Sequence, residues 1–253
     1  MIVNYREVGW EIITQRAHGL LAAQLAMHWN EKDRPERWTE TLLAIAEHDD
    51  AEVELDGENL LTPKGGPLNF DMKTFDLAHC QKLNDLALTK SRYINLLTSM
   101  HMDFLYRKDS GKVAGAAHFL KQQSKLRLQL RRELGLTKAA AEKIYCLVEW
   151  FDACSLLICQ NMIGPEQRTI EISHGPDGIK YHLFQPEKNI LSVTPWPFKT
   201  ASFTVRFESR LLSSIEFANS GVFRKAFLAS PINEKSWKMM EVKPSIKPKT
   251  KLI

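Results

Sequence analysis

The sequence predicts a mainly α protein with an added β-rich unit, an α+β fold, and three observations carry that reading. Apolar residues recur at three- and four-residue spacing through most of residues 16–161, the period of helices packed on one face. Beyond Gly164-Pro165 the period falls to that of strands rich in β-branched and aromatic residues. There, Thr169-Ile170-Glu171-Ile172 and Ile179-Lys180-Tyr181-His182-Leu183 flank His174-Gly175-Pro176-Asp177-Gly178, a strong hairpin signal.

The elements follow in order. Met1–Tyr5 and Trp10–Thr14, rich in Ile, Val, Tyr and Trp around Gly9, predict a small hairpin over residues 1–15. Leu21, Leu25 and Trp29 share one apolar face of a helix over Ala17–Trp29. Asn30–Arg37, polar and holding Pro35, is a loop. Thr39 is positioned to cap a helix running to Asp50, on which Leu42, Ile45, Ala46 and Asp49 fall on one side. Gly57, Pro63, Gly65, Gly66 and Pro67 punctuate a long loop over 51–70, a candidate lid or substrate contact.

Helical patterns resume over Phe75–Leu88, Ser91–Tyr106, Val113–Gly135 and Thr137–Asn161. Strands are expected at Ile190–Val193, Phe203–Phe207 and Ser236–Val242, with a short helix at Val222–Ala229. Trp196, Phe198, Phe203 and Phe207 read as the core of a small sheet. The expected division is a hairpin over 1–15, a helical bundle over 16–161, a small antiparallel β-rich unit over 165–243 and a frayed lysine-rich tail over 244–253. The hairpin over 1–15 is a candidate to pair with the C-terminal sheet, because an isolated two-stranded hairpin is marginal in water.

A chain of 253 residues with 44% hydrophobic and 25% charged residues is ordinary globular material. Its net charge of +4, from 34 basic and 30 acidic residues well mixed, argues against a nucleic-acid partner. No apolar run approaches the roughly 20 residues that span a bilayer, and the N-terminus lacks a signal peptide's apolar core. The expectation is a cytoplasmic protein with no membrane partner; nothing in the sequence fixes an oligomeric state. Cys80, Cys146, Cys154 and Cys159 show no Cys-x-x-Cys spacing, and the last three, in one apolar helical run, read as small hydrophobes.

The chemistry concentrates in a few residues. Asp152 sits in Tyr145–Cys159, a stretch apolar nearly all round and therefore buried, where an unpaired carboxylate costs several kcal/mol. It requires a cation, a donor network or a metal. His18, beside the small residues Gly19, Ala22 and Ala23, reads alone as a hydrogen-bonded core histidine; the adjacent pair His48-Asp49 gives it a second reading as a ligand. Imidazoles with carboxylates suit divalent metals such as Mn, Fe, Ni or Zn. His101, in register with Ile94, Leu97 and Phe104, is either a satisfied core histidine or a further ligand or proton donor, and His79 and His28 are weaker candidates. Glu47 and Asp50 fit a second carboxylate role or a solvated helix end. Lys121, Lys125, Arg127, Arg131 and Arg132 form a basic helical stretch, a solvated face by default and otherwise a phosphate or partner contact. Asp109-Ser110-Gly111-Lys112 lacks the glycine spacing of a phosphate loop, and no Gly-x-Ser-x-Gly elbow is present.

Two resemblances follow from these residues. The order His18, His48-Asp49, Asp152 resembles the HD superfamily of metal-dependent phosphohydrolases, whose ligands come from several helices of one bundle. Nearly the whole chain resembles a bacterial family of unknown function, through Gly9-Trp10-Glu11-Ile12-Ile13-Thr14-Gln15, His18-Gly19-Leu20-Leu21-Ala22, Ala46-Glu47-His48-Asp49-Asp50, Gly66-Pro67-Leu68-Asn69-Phe70, Ser99-Met100-His101, Asp152-Ala153-Cys154-Ser155-Leu156 and Pro195-Trp196-Pro197-Phe198. The HD resemblance implies an HD-like helical core in which His18, His48, Asp49 and Asp152 bind one or two divalent metals (Mn, Fe, Ni, Mg or Zn), with His101 and His79 as additional candidates. It implies a hydrolase of a small phosphorylated molecule, with Asp49 also orienting or deprotonating the attacking water. The chain departs from that pattern by lacking a lysine or arginine motif next to the ligands. The alternative is a non-catalytic ligand-binding or regulatory protein on a degenerate scaffold of the same kind.

Overall fold

Five of the seven α-helices among the described residues start on a side-chain cap. In the computed structural model, which describes residues 1–52, 54–55 and 59–243, Thr14 caps α1 (Gln15–Met27) by accepting from the Ala17 amide at 3.2 Å. Asp76 does the same for α3 (Leu77–Leu88), Ser91 for α4 (Arg92–Tyr106), Thr137 for α6 (Lys138–Cys159) and Asn219 for α7 (Ser220–Ala229). Each satisfies an amide that the first turn cannot. The expected helix near 113–135 is α5 (Ala116–Glu133). The predicted tail over 244–253 and Gly57 lie outside the described residues.

The helix α2 (Trp38–Ala46) departs from expectation at both ends. It starts after Arg37 with no side-chain cap, so Thr39 is an interior residue of the first turn. It also stops before His48-Asp49, which sit in the following turn. The reason is local: the Ile45 carbonyl, which would accept the Asp49 amide in a continued helix, accepts instead from His48 Nδ1 at 2.7 Å.

Seven strands make one sheet in the order β1 (Ile2–Arg6), β2 (Gly9–Ile13), β6 (Ser202–Leu212), β7 (Ile232–Met240), β5 (Ile190–Thr194), β4 (Lys180–Glu187), β3 (Ile170–His174). The predicted C-terminal sheet was antiparallel; the observed one is mixed. β7 inserts between β5 and β6, which run in opposite directions, so it must lie parallel to one of them, and that one is β5. The N-terminal hairpin joins through β2–β6, with Trp10 opposite Leu212 and Ile12 opposite Arg210. Gly9 permits this junction: its φ is +132°, and a Cβ there would lie 1.9 Å from the Leu212 carbonyl oxygen. Along β6, Phe203, Val205 and Phe207 turn inward while Ser202, Thr204 and Arg206 face out, the alternation of a sheet covered on one side.

One apolar core spans helices and sheet. Leu21 and Leu25 of α1, Trp150 and Phe151 of α6, Leu183 of β4 and Val205 of β6 all belong to it. Trp150 is its hub, with ring centroids 5.2 Å from Trp29, 4.9 Å from Phe151 and 5.3 Å from Tyr181. Phe198, Phe203 and Phe207 are buried in the same core, as expected of them, and Trp196 packs half-buried against it. No helix among the described residues is long and apolar enough to cross a membrane.

Candidate metal centre

Three elements deliver four side chains to one point. His18 comes from the first turns of α1, His48 and Asp49 from the turn after α2, and Asp152 from the middle of α6. His18 Nε2 and His48 Nε2 lie 3.0 Å apart. Asp49 Oδ2 is 3.3 Å from His18 Nε2 and 3.5 Å from His48 Nε2, and Asp152 Oδ1 is 3.7 Å and 3.4 Å from the same two nitrogens. Gly19 makes this approach possible, because a Cβ there would meet the Ala46 carbonyl oxygen at 2.5 Å and hold α1 off the end of α2.

The hydrogen bonds at the other ring nitrogens fix what these atoms carry. Ser155 Oγ spends its proton on the Asp152 backbone carbonyl at 2.9 Å, so it accepts from His18 Nδ1–H at 2.8 Å. The Ile45 carbonyl can only accept, so His48 Nδ1 is also protonated. In the neutral tautomers both Nε2 atoms therefore present bare lone pairs to each other and to two carboxylates, with His18, His48 and Asp152 buried and Asp49 half-buried. Such a point demands a positive charge. Donor–metal distances of ~2.0–2.2 Å place neighbouring donors about 3.0–3.4 Å apart, close to the spacing of these four. The residues present fit a divalent cation, and the outward hydrogen bonds of both rings are those that orient metal-ligating histidines.

Without a cation, the imbalance falls on protons. Burial alone would lower the His48 imidazolium, but Asp49 and Asp152 outweigh it and raise its pKa to about 9. Burial alone would raise Asp49, yet the His48 charge and the His18 hydrogen bond hold it well below the carboxylate range. Asp152 is lowered in the same way, burial being overcome chiefly by His48. His101 goes the other way, to about 4, through burial and the neighbouring His48 charge.

Cavity residues define what else reaches the site. A cavity of about 170 Å³ opens onto Asp49, Asp152 and His101 and is walled in part by Gln15, Lys73, His79 and Lys108. His101 faces it: its ring centroid is 5.0 Å from that of His48, a donor atom lies within 4.8 Å of His48 and Asp49 donors, and Nδ1 meets the Tyr145 hydroxyl at 3.2 Å. His79 lines the cavity but stands apart from the cluster, its Nε2 3.6 Å from Glu52 Oε1. Glu52 also pairs with Lys73, whereas Lys108 has no ion pair among the described residues. The 51–70 loop, a candidate substrate contact in the sequence, contributes Glu52 and Phe70 to the wall. Glu47 and Asp50 are spent on Lys90 and Arg16, the solvated-end reading. His28 is elsewhere, stacked on Phe203 at 3.8 Å.

The residues that sequence reasoning passed over are Gln15, whose Nε2 donates to Asp49 Oδ2 at 2.9 Å, Ser155, and the lysines at 73 and 108. Only Ser155 carried a signal, one helical turn beyond Asp152.

The chain matches, over residues 1–214, the family described as protein of unknown function DUF3891. It belongs to the DUF3891 family. No curated protein and no solved structure matches it. In this DUF3891 chain the matched span holds all four converging side chains and the whole cavity. It ends shortly after β6.

Proposed function

We propose that the protein is a divalent-metal-dependent hydrolase of a small phosphate ester, built on an HD-like helical core. One observation carries the reading: two buried imidazoles, each with Nδ1–H committed elsewhere, aim their Nε2 atoms, bare when the rings are neutral, at each other across 3.0 Å between two carboxylates. His18, His48, Asp49 and Asp152 would hold the metal. When bound, it supplies a Lewis acid for a phosphoryl oxygen and lowers the pKa of a water.

The chain's own groups supply the rest. Lys108, with no ion pair among the described residues, and Lys73, paired with Glu52, are the lysines of a wall that also holds Asp49, Glu52, Asp71, Asp109 and Asp152, and they would meet a phosphate there. They stand where the sequence showed no basic motif beside the ligands, because the fold brings them in from separate segments. Asp49 turns Oδ2 toward the histidines and Gln15, and its Oδ1 takes no protein hydrogen bond among the described residues. That leaves Oδ1 to orient a water and receive its proton. His101, kept neutral by burial, presents a hydrogen-bonding edge to the same space. A cavity of about 170 Å³ has room for a phosphoryl group.

The test is a screen of phosphomonoesters and phosphodiesters with Mn, Fe, Ni, Mg and Zn. Turnover that requires a metal, and that Asp49→Ala abolishes while circular dichroism is unchanged, supports the reading. A protein that binds metal tightly and turns over none of them fits the non-catalytic alternative instead.

A further inference from the structure

The cleft on the other side of helix α4 is not accounted for by the metal centre. It has a volume of about 500 Å³ and lies where α4, α5 and α6 meet. That size is within the range of small-molecule sites. Its lining has two characters. Leu96, Met100 and Ala141 make an apolar floor, and Phe104 stands at its edge with half its surface (50%) exposed. Arg107, Arg127, Arg131 and Lys138 make the rim, against only two carboxylates, Asp103 and Glu142.

The charge balance does not close within the protein. Asp103 is shared by Arg107 and Arg127. Glu142 reaches Lys138 only at 3.5 Å, with both side chains more than half exposed. Arg131 has no ion pair among the described residues. Two positive charges are left over in a walled cleft. Arg127 is also built in: its side chain is only 17% exposed, and Nη1 donates to the Ser99 carbonyl at 3.1 Å while Nη2 meets Asp103. A guanidinium fixed in this way is a positioned donor, through Nε–H and the second N–H of each terminal nitrogen, while Arg131 and Lys138 supply the unmatched charge. Of the basic stretch 121–132, Arg127 and Arg131 turn into the cleft, while Lys121, Lys125 and Arg132 are exposed, as a solvated face expects.

We propose that this cleft binds a nucleoside di- or triphosphate, the base stacked on Phe104 over the apolar floor and the phosphates held by Arg127, Arg131 and Lys138. Excess positive charge beside an exposed ring calls for a ligand with a planar apolar body and at least two negative charges. A bare polyphosphate leaves Phe104 and the floor uncovered; a bare nucleoside leaves the arginines unmatched. The cleft is separate from the metal cavity but touches it through one side chain. Tyr145 lines the cleft, and its hydroxyl is the partner of His101. A ligand there sits one hydrogen bond from the wall of the metal site.

The test uses the full chain stripped of metal with a chelator, so its outcome does not depend on the metal centre. Isothermal titration calorimetry at low salt is run with ATP, ADP, AMP, adenosine and inorganic tripolyphosphate. ATP and ADP are expected to saturate one site, with adenosine and tripolyphosphate each binding roughly tenfold or more weakly, the scale of one lost charge-assisted contact or stacking partner. The exposed-site double variant Arg131→Ala/Lys138→Ala is expected to weaken ATP by at least roughly tenfold. Phe104→Ala is expected to weaken ATP but leave tripolyphosphate unchanged. Lys108→Ala, in the metal cavity, is expected to leave all of them unchanged. No saturable heat with ATP, equal binding of ATP and tripolyphosphate, or an ATP affinity lost in Lys108→Ala but kept in the double variant would each overturn the proposal.

Discussion

At the scale of single residues, His48 carries the sharpest consequence. In the metal-free protein its pKa is raised from 6.5 to about 9, so the folded state holds that proton more tightly than the unfolded chain. The stabilisation is complete below the unfolded value and disappears as pH rises through about 9. Thermal unfolding in chelator is therefore expected to show a falling midpoint between those two pH values. Saturating Mn should reverse the trend, because metal and proton compete for the same Nε2. A midpoint independent of pH with and without metal would contradict the assignment. Ser155→Ala is expected to weaken metal binding by about 10–100-fold, the usual cost of freeing a ligating imidazole, since it removes the acceptor that sets the His18 tautomer. Equilibrium dialysis measures it. All four cluster residues were legible in the sequence: Asp152 because a carboxylate inside an apolar helix needs a partner, the others by their place in the series. Lys73 and Lys108 were not, since nothing local distinguishes a lysine that a distant fold will turn toward a cavity.

At the scale of elements, the approach of α1 to the end of α2 decides whether the site exists. Gly19→Ala is expected to abolish tight metal binding while leaving the apo fold largely intact, because the clash is with the backbone oxygen of Ala46 and only the turn carrying His48 and Asp49 must shift. Retained wild-type affinity would show that this contact does not position the ligands. The small residues after His18 announced a close approach, and the structure identifies the neighbour. Helix boundaries marked by caps were readable within one or two residues, as at Ser91 and Thr137. The end of α2 was not, because it depends on a histidine side chain competing for the Ile45 carbonyl. Nor was the parallel β5–β7 pair, which follows from where β7 inserts in the sheet rather than from any strand's own pattern.

At the scale of the whole molecule, bundle and sheet share one core through α6. Trp150→Ala removes a fully buried ring that touches Trp29, Phe151 and Tyr181, and is expected to cost ~3–5 kcal/mol. Denaturant unfolding followed by far-ultraviolet circular dichroism and tryptophan fluorescence should move as one transition for both probes. Separate midpoints would show that residues 16–161 and 165–243 unfold as independent units. The mainly helical first two-thirds and the strand-rich remainder were visible in the change of hydrophobic period. Their fusion into one core was not, because period says which face is apolar and not what covers it.

Four side chains from three elements are proposed to hold one divalent cation. Crystals of the protein grown with Mn and measured for anomalous scattering test it most directly. A strong anomalous peak is expected among His18 Nε2, His48 Nε2, Asp49 and Asp152, with nitrogen and oxygen donors at roughly 2.0–2.3 Å. No peak there at saturating Mn, with the two imidazoles still 3.0 Å apart and bridged by a proton, would contradict it.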